Sequence, residues 1–116
     1  MKKFIIVKTS FEGFHYWKDA PIEVGFLKNL HRHIFYVEAK ISVSHSNRAL
    51  EFFTVQHFIE DHLINKFRKL GCNLKEMSCE MIAEEILNAI CIQYRIKKGV
   101  SVTVSEDGEN AGGVEI

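Results

Sequence analysis

Residues 30–44 alternate with period two over their whole length. The odd positions are His31, His33, Phe35, Val37, Ala39, Ile41 and Val43. The even positions are Arg32, Ile34, Tyr36, Glu38, Lys40, Ser42 and Ser44. Side chains alternate across a β-strand, so this segment predicts one apolar face and one mostly polar face. A strand of that kind belongs to an antiparallel sheet with one face covered and one face wet. The same pattern carries a chemical demand. His31 and His33 leave the strand on its apolar face, where an imidazole without a partner costs a few kcal/mol.

The other segments fit around this strand. Residues 3–16 are rich in Phe, Ile, Val and Thr and predict a long strand, with Gly13 as a candidate bulge. Residues 18–29 hold Asp19, Pro21 and Gly25 and predict a loop, and residues 44–48 a polar turn. In residues 50–70, Phe52, Val55, Ile59, Leu63, Phe67 and Leu70 recur at helical spacing, and Gly71 suits a C-cap. Residues 78–94 predict a second helix with Ser78 as N-cap, Glu80 in the first turn, and a stripe of Ile82, Ile86, Ala89, Ile90 and Gln93. Residues 98–105 alternate again. A Gly/Asn turn over 107–113 leads into a closing strand from Gly113 to Ile116. The order ββααββ predicts an α+β domain: a four-stranded antiparallel sheet with two helices on one face.

The chain of 116 residues has room for one domain, 1–116. Fifteen basic and fifteen acidic residues cancel. That balance speaks against a general nucleic-acid binder, and Lys97 with Lys98 is too small a basic patch. A neutral chain also has weak colloidal repulsion, which suits an oligomer. The apolar run Phe4–Val7 is too short for a signal-peptide core or a membrane span. Cys72, Cys79 and Cys91 form neither an even set nor a CxxC pair, so a reducing, cytoplasmic setting is expected, with the cysteines in packing roles.

The histidines are the residues most suited to chemistry. A zinc ion would satisfy His31 and His33 together, and zinc sites that do chemistry usually have three protein ligands and an open position. His15, near the end of the preceding strand, is the natural third ligand. The alternative is a pair of hydrogen-bonded structural histidines. His45 and His57 are expected at the surface. Tyr16 and Trp17 could wall a pocket or pack at a subunit contact.

The stretch Phe11-Glu-Gly-Phe-His15, followed by His31-Arg-His33, resembles the 6-pyruvoyl- and 6-carboxytetrahydropterin synthase family. There an F-x-A-A-H strand and an H-G-H strand supply three zinc-binding histidines. Glu51-Phe52 sits where the family has Asp-Phe, Met77-Ser-Cys-Glu80 where it has Pro-Thr-x-Glu, and Val102-Thr-Val-Ser-Glu106 matches a final V-x-V-x-E strand. The resemblance implies the T-fold, which assembles into barrels, commonly hexamers. It implies zinc at His15, His31 and His33, and a pterin gripped by Glu106. It also implies a lyase reaction on dihydroneopterin triphosphate in queuosine-type or tetrahydropterin biosynthesis.

The departures concern acid–base chemistry. The family's catalytic cysteine, four residues before the first His of H-G-H, is Leu27 here. Glu23 is the nearest carboxylate but lies four residues earlier. The family's Asp-His pair falls at Phe67 and Arg68 on an ungapped alignment; Asp61-His62 has the right dipeptide but mid-helix. Arg32 replaces the glycine of H-G-H. Proton-transfer groups contribute about 10²–10⁴-fold each, so three hypotheses stand. One is a zinc-dependent lyase whose base would come from Asp61, His62 or Glu23. The second is a catalytically inactive relative that binds a pterin, purine or nucleotide-like ligand without turnover. The third is a structural oligomer with a stabilising metal. Glu106 and Glu80 are the candidate ligand-binding residues, Glu80 being equally readable as a helix-start charge.

Overall fold

The computed structural model describes the backbone of residues 1–116 and every side chain except that of residue 64. Four strands, β1 (Lys3–His15), β2 (His31–Val43), β3 (Val100–Glu106) and β4 (Ala111–Glu115), form one antiparallel sheet in the order β1-β2-β3-β4. Two helices, α1 (Phe52–Phe67) and α2 (Cys79–Tyr94), cover one face.

The odd positions of β2 pack under the helices as the alternation predicts. Phe35, Val37, Ala39 and Ile41 are buried there with Val100, Val102 and Val104 of β3. α1 contributes Val55, Ile59, Leu63 and Phe67, and α2 contributes Ile82, Ala83, Ile86, Leu87 and Ile90. The ends of the predicted stripes do not hold. Phe52 and Leu70 are about half exposed and Gln93 is exposed, while Leu50, Tyr94 and Ile96 pack against the core at these ends instead. Residues 68–70 tighten into a 3-10 turn that Gly71 ends in the left-handed region. Glu51 caps α1, its carboxylate accepting the Phe53 and Thr54 N–H groups, and the Ser78 hydroxyl accepts the Met81 N–H at the start of α2.

β1 and β2 run side by side for 13 residues without interruption, from Lys3 opposite Val43 to His15 opposite His31. Gly13 is therefore not a bulge. It faces His33 across the ladder, and a Cβ there would come within 2.8 Å of Leu74 Cδ1 and 3.0 Å of the Phe35 ring. The predicted loop 18–29 folds into short 3-10 turns over Ile22–Lys28. The Trp17 N–H donates to the Leu27 carbonyl and folds this segment back over the end of β1. The closing strand begins at Ala111, two residues earlier than expected. The reason is a tight reversal at Asp107 and Gly108, both at positive φ.

Candidate metal centre and its cavity

The β1–β2 register brings the three histidines together. His15 and His31 are cross-strand partners, and His33 follows two residues along the same face. The ring centroids lie 4.5 Å (His15–His31), 5.2 Å (His15–His33) and 4.9 Å (His31–His33) apart. His15 is buried and the other two are half-buried.

Each ring has one nitrogen tied to an oxygen. His15 Nδ1 donates to the Met77 carbonyl at 2.9 Å, His31 Nδ1 to the Asn29 carbonyl at 2.7 Å, and His33 Nδ1 to the Asp107 carboxylate at 2.7 Å. A carbonyl or carboxylate can only accept, so the proton sits on Nδ1 and the Nε2 lone pair is free. All three Nε2 atoms are buried and make no hydrogen bond. One ligand atom from each ring fits within a span of 4.8 Å. Three oriented lone pairs with nothing to accept from are a ready set of ligands for one cation. The Met77, Asn29 and Asp107 acceptors are the part of the site that sequence reasoning missed. Asp107 carried a signal, as an acid directly after the strand-end Glu106; the two carbonyls carried none.

Burial is the main cause that lowers the His15 pKa from 6.5, opposed by the Met77 carbonyl, so this ring is poised to remain neutral. Glu106, at the end of β3, reaches the same point. Its Oε2 lies 3.0 Å from His33 Nε2 and its Oε1 3.7 Å from His15 Nε2. Neither contact is a hydrogen bond: the second is too long, and the first lacks the direction. Cys79 donates its thiol to Glu106 Oε1 at 3.7 Å. Burial, reinforced by the Glu106 charge, pushes the Cys79 thiol up to about 12. At neutral pH this thiol, which also lines the cavity above the histidines, keeps its proton.

Above the histidines opens a cavity of about 650 Å³. His15, His31 and Glu106 form its floor; Tyr16, Trp17, Leu27 and Met81 give it apolar walls; Asp19, Glu76 and Glu80 stand around it. Leu27 thus lines the cavity where the resemblance calls for a cysteine. The Glu80 carboxylate lies over Gly112, in the space that a Cβ there would take.

The other candidates lie elsewhere. His62 projects between the helices, its Nε2 3.6 Å from Glu85, which also binds Lys66. Asp61 is exposed on α1 and Glu23 is exposed in the 3-10 segment. None of these three lines the cavity. His45 and His57 are exposed, as expected.

No family model and no curated protein matches the sequence. Solved structures do resemble it. The Plasmodium falciparum 6-pyruvoyl tetrahydropterin synthase superposes with a TM-score of 0.67 at 17% identity, covering 97% of this chain and 96% of that one. A Plasmodium vivax 6-pyruvoyltetrahydropterin synthase, a variant with a catalytic glutamate changed to cysteine, gives a TM-score of 0.60 at 15% identity, covering 98% and 97%. At such identities the likeness establishes the fold. The chain has the architecture of these synthases, the T-fold expected from its motifs.

Proposed function

We propose that this chain is a divergent member of the 6-pyruvoyl- and 6-carboxytetrahydropterin synthase family. It binds zinc through His15, His31 and His33 and holds a pterin or purine-like heterocycle in the cavity above them. The observation that carries this reading is the convergence of three buried Nε2 atoms without a hydrogen bond, two of them on rings, His15 and His31, that line that cavity. Zinc, when bound, supplies a Lewis acid for a ligand oxygen. The Glu106 carboxylate, beside the histidines, accepts adjacent N–H groups from an amino-azine edge as charge-assisted hydrogen bonds. Trp17, Tyr16 and Leu27 give the ring apolar walls.

The cavity of one chain supports binding better than turnover. Leu27 cannot move a proton, Cys79 keeps its proton, and Asp61, His62 and Glu23 stand away from the cavity. A second reading, a lyase on dihydroneopterin triphosphate, is favoured by the Plasmodium vivax synthase variant, in which the catalytic residue replaced is a glutamate. In this chain Glu106 is the carboxylate that lies beside the Nε2 atoms of His33 and His15. Incubating zinc-loaded protein with dihydroneopterin triphosphate and following products by mass spectrometry separates the two. Unchanged substrate together with thermal stabilisation by a pterin supports the binding reading. A 6-carboxy- or 6-pyruvoyl-tetrahydropterin product overturns it in favour of the lyase.

Assembly belongs to the same proposal. The uncovered face of the sheet exposes Phe4, Ile6 and Tyr36, and β1 and β4 are its outer strands. Edge pairing between copies would close the sheet into a barrel, commonly a hexamer in this family. Light scattering after size exclusion reads the number of chains directly.

A further inference from the structure

The charge around the cavity is one-sided. Asp19, Glu76, Glu80 and Glu106 line it, and no Lys or Arg does among the described residues. Asp19, Glu76 and Glu80 have no basic partner in any ion pair of the described residues. Glu76 instead accepts the backbone N–H of Lys18 at 3.1 Å, which holds its carboxylate at the site without neutralising it. Among the residues lining the cavity, the N-terminus of α2 is a source of positive potential. Its own first-turn Glu80 offsets that potential, and its Met81 N–H is already bonded to Ser78. Four carboxylates outweigh a divalent ion held by three neutral histidines. A second, independent feature marks the same place as a ligand site: the buried Nε2 of His15, whose side chain is 10% exposed, has no hydrogen-bond partner at the cavity floor.

We infer that this cavity selects an uncharged or cationic heterocycle and rejects its phosphorylated forms, with Glu76 and Glu80 as specificity-determining residues. This rests on the heterocycle-binding reading above and narrows it. A polyphosphate tail leaving the cavity would pass carboxylates of its own sign, with no guanidinium or ammonium among the described residues lining the cavity to receive it. A neutral ring with vicinal N–H donors gains the Glu106 contact and meets no such repulsion. A ring carrying a positive charge gains further from Asp19, Glu76 and Glu80.

Zinc-loaded protein, in whatever assembly it forms, is titrated with neopterin and separately with neopterin triphosphate, following pterin fluorescence. The expected result is binding of neopterin with an affinity about tenfold or more above that of the triphosphate at low salt. That gap should shrink as salt is raised from about 0.02 M to about 0.5 M, since the repulsion is screened. It should shrink also in the Glu76→Gln, Glu80→Gln double variant. Equal or tighter binding of the triphosphate overturns the inference and leaves heterocycle binding intact. A gap that survives both salt and the double variant overturns the role given to these carboxylates. Binding of neither compound overturns the pterin reading itself, and the inference with it.

Discussion

His33 Nδ1 donates to Asp107 Oδ2 at 2.7 Å, and the other oxygen of the same carboxylate accepts the Ile34 N–H at 2.9 Å. Asp107 therefore ties the turn after β3 to β2 and fixes which nitrogen of His33 is free. The hydrogen bond from His33 is also the main cause holding the Asp107 carboxyl below its usual pKa. Groups that orient a metal ligand in this way typically contribute 10–100-fold in metal affinity. Asp107→Ala should weaken zinc binding by about 10–100-fold, read by competition with a chromophoric chelator. Unchanged affinity would show that His33 is held by packing alone.

Zinc should couple to stability. Without a cation the three Nε2 atoms are buried and unbonded, and each such group costs about 1–3 kcal/mol. Zinc held at one hundred times its dissociation constant adds about 2.7 kcal/mol to the folded state. For a domain of this size that corresponds to a Tm rise of about 10 °C. A chelator should reverse the rise, and His15→Ala should abolish it. A Tm indifferent to chelator in the unaltered protein would contradict the coupling.

Gly13 has no room for a methyl group. A Cβ would meet Leu74 and the Phe35 ring, both in the core, at 2.8 and 3.0 Å. Gly13→Ala should lower stability by about 1–3 kcal/mol, the usual effect of overpacking. Urea unfolding measures this. No loss would mean that Leu74 moves aside freely.

His62 should make the protein acid-sensitive. Burial first, and then the Lys66 charge, lower its pKa below 6.5 in the fold. Below 6.5 the unfolded chain takes up a proton that the folded chain resists, so stability falls as pH drops. The loss levels off once pH is below the folded value. His62→Gln should lose less stability than the unaltered protein over that window, by denaturant titration at several pH values. An identical pH dependence would remove His62 from the cause.

Much of the fold was legible because alternation and helical spacing report burial directly. The odd positions of 30–44 marked the covered face of β2, and that face carried His31 and His33 to the site. Long-range geometry was not legible. Gly13 resembles a bulge in sequence because only the fold reveals that Phe35 and Leu74 fill its space. The helix stripes overran at Phe52, Leu70 and Gln93 because spacing does not say which residue meets the core at a helix end, where Leu50, Tyr94 and Ile96 do so instead. In the site, residue types with strong chemistry were visible. The Met77 and Asn29 carbonyls were not, since backbone oxygens leave no trace in a sequence. Asp19 and Glu76 reach the cavity only because Trp17 folds back onto Leu27 and Lys18 onto Glu76.

The most direct test of the metal centre is zinc content per chain, by elemental mass spectrometry on protein purified from zinc-containing medium, compared with His31→Ala whose fold is verified by circular dichroism. The account predicts one zinc per chain in the unaltered protein and far less in the folded variant. Zinc-free unaltered protein, or equal zinc in both, would contradict it.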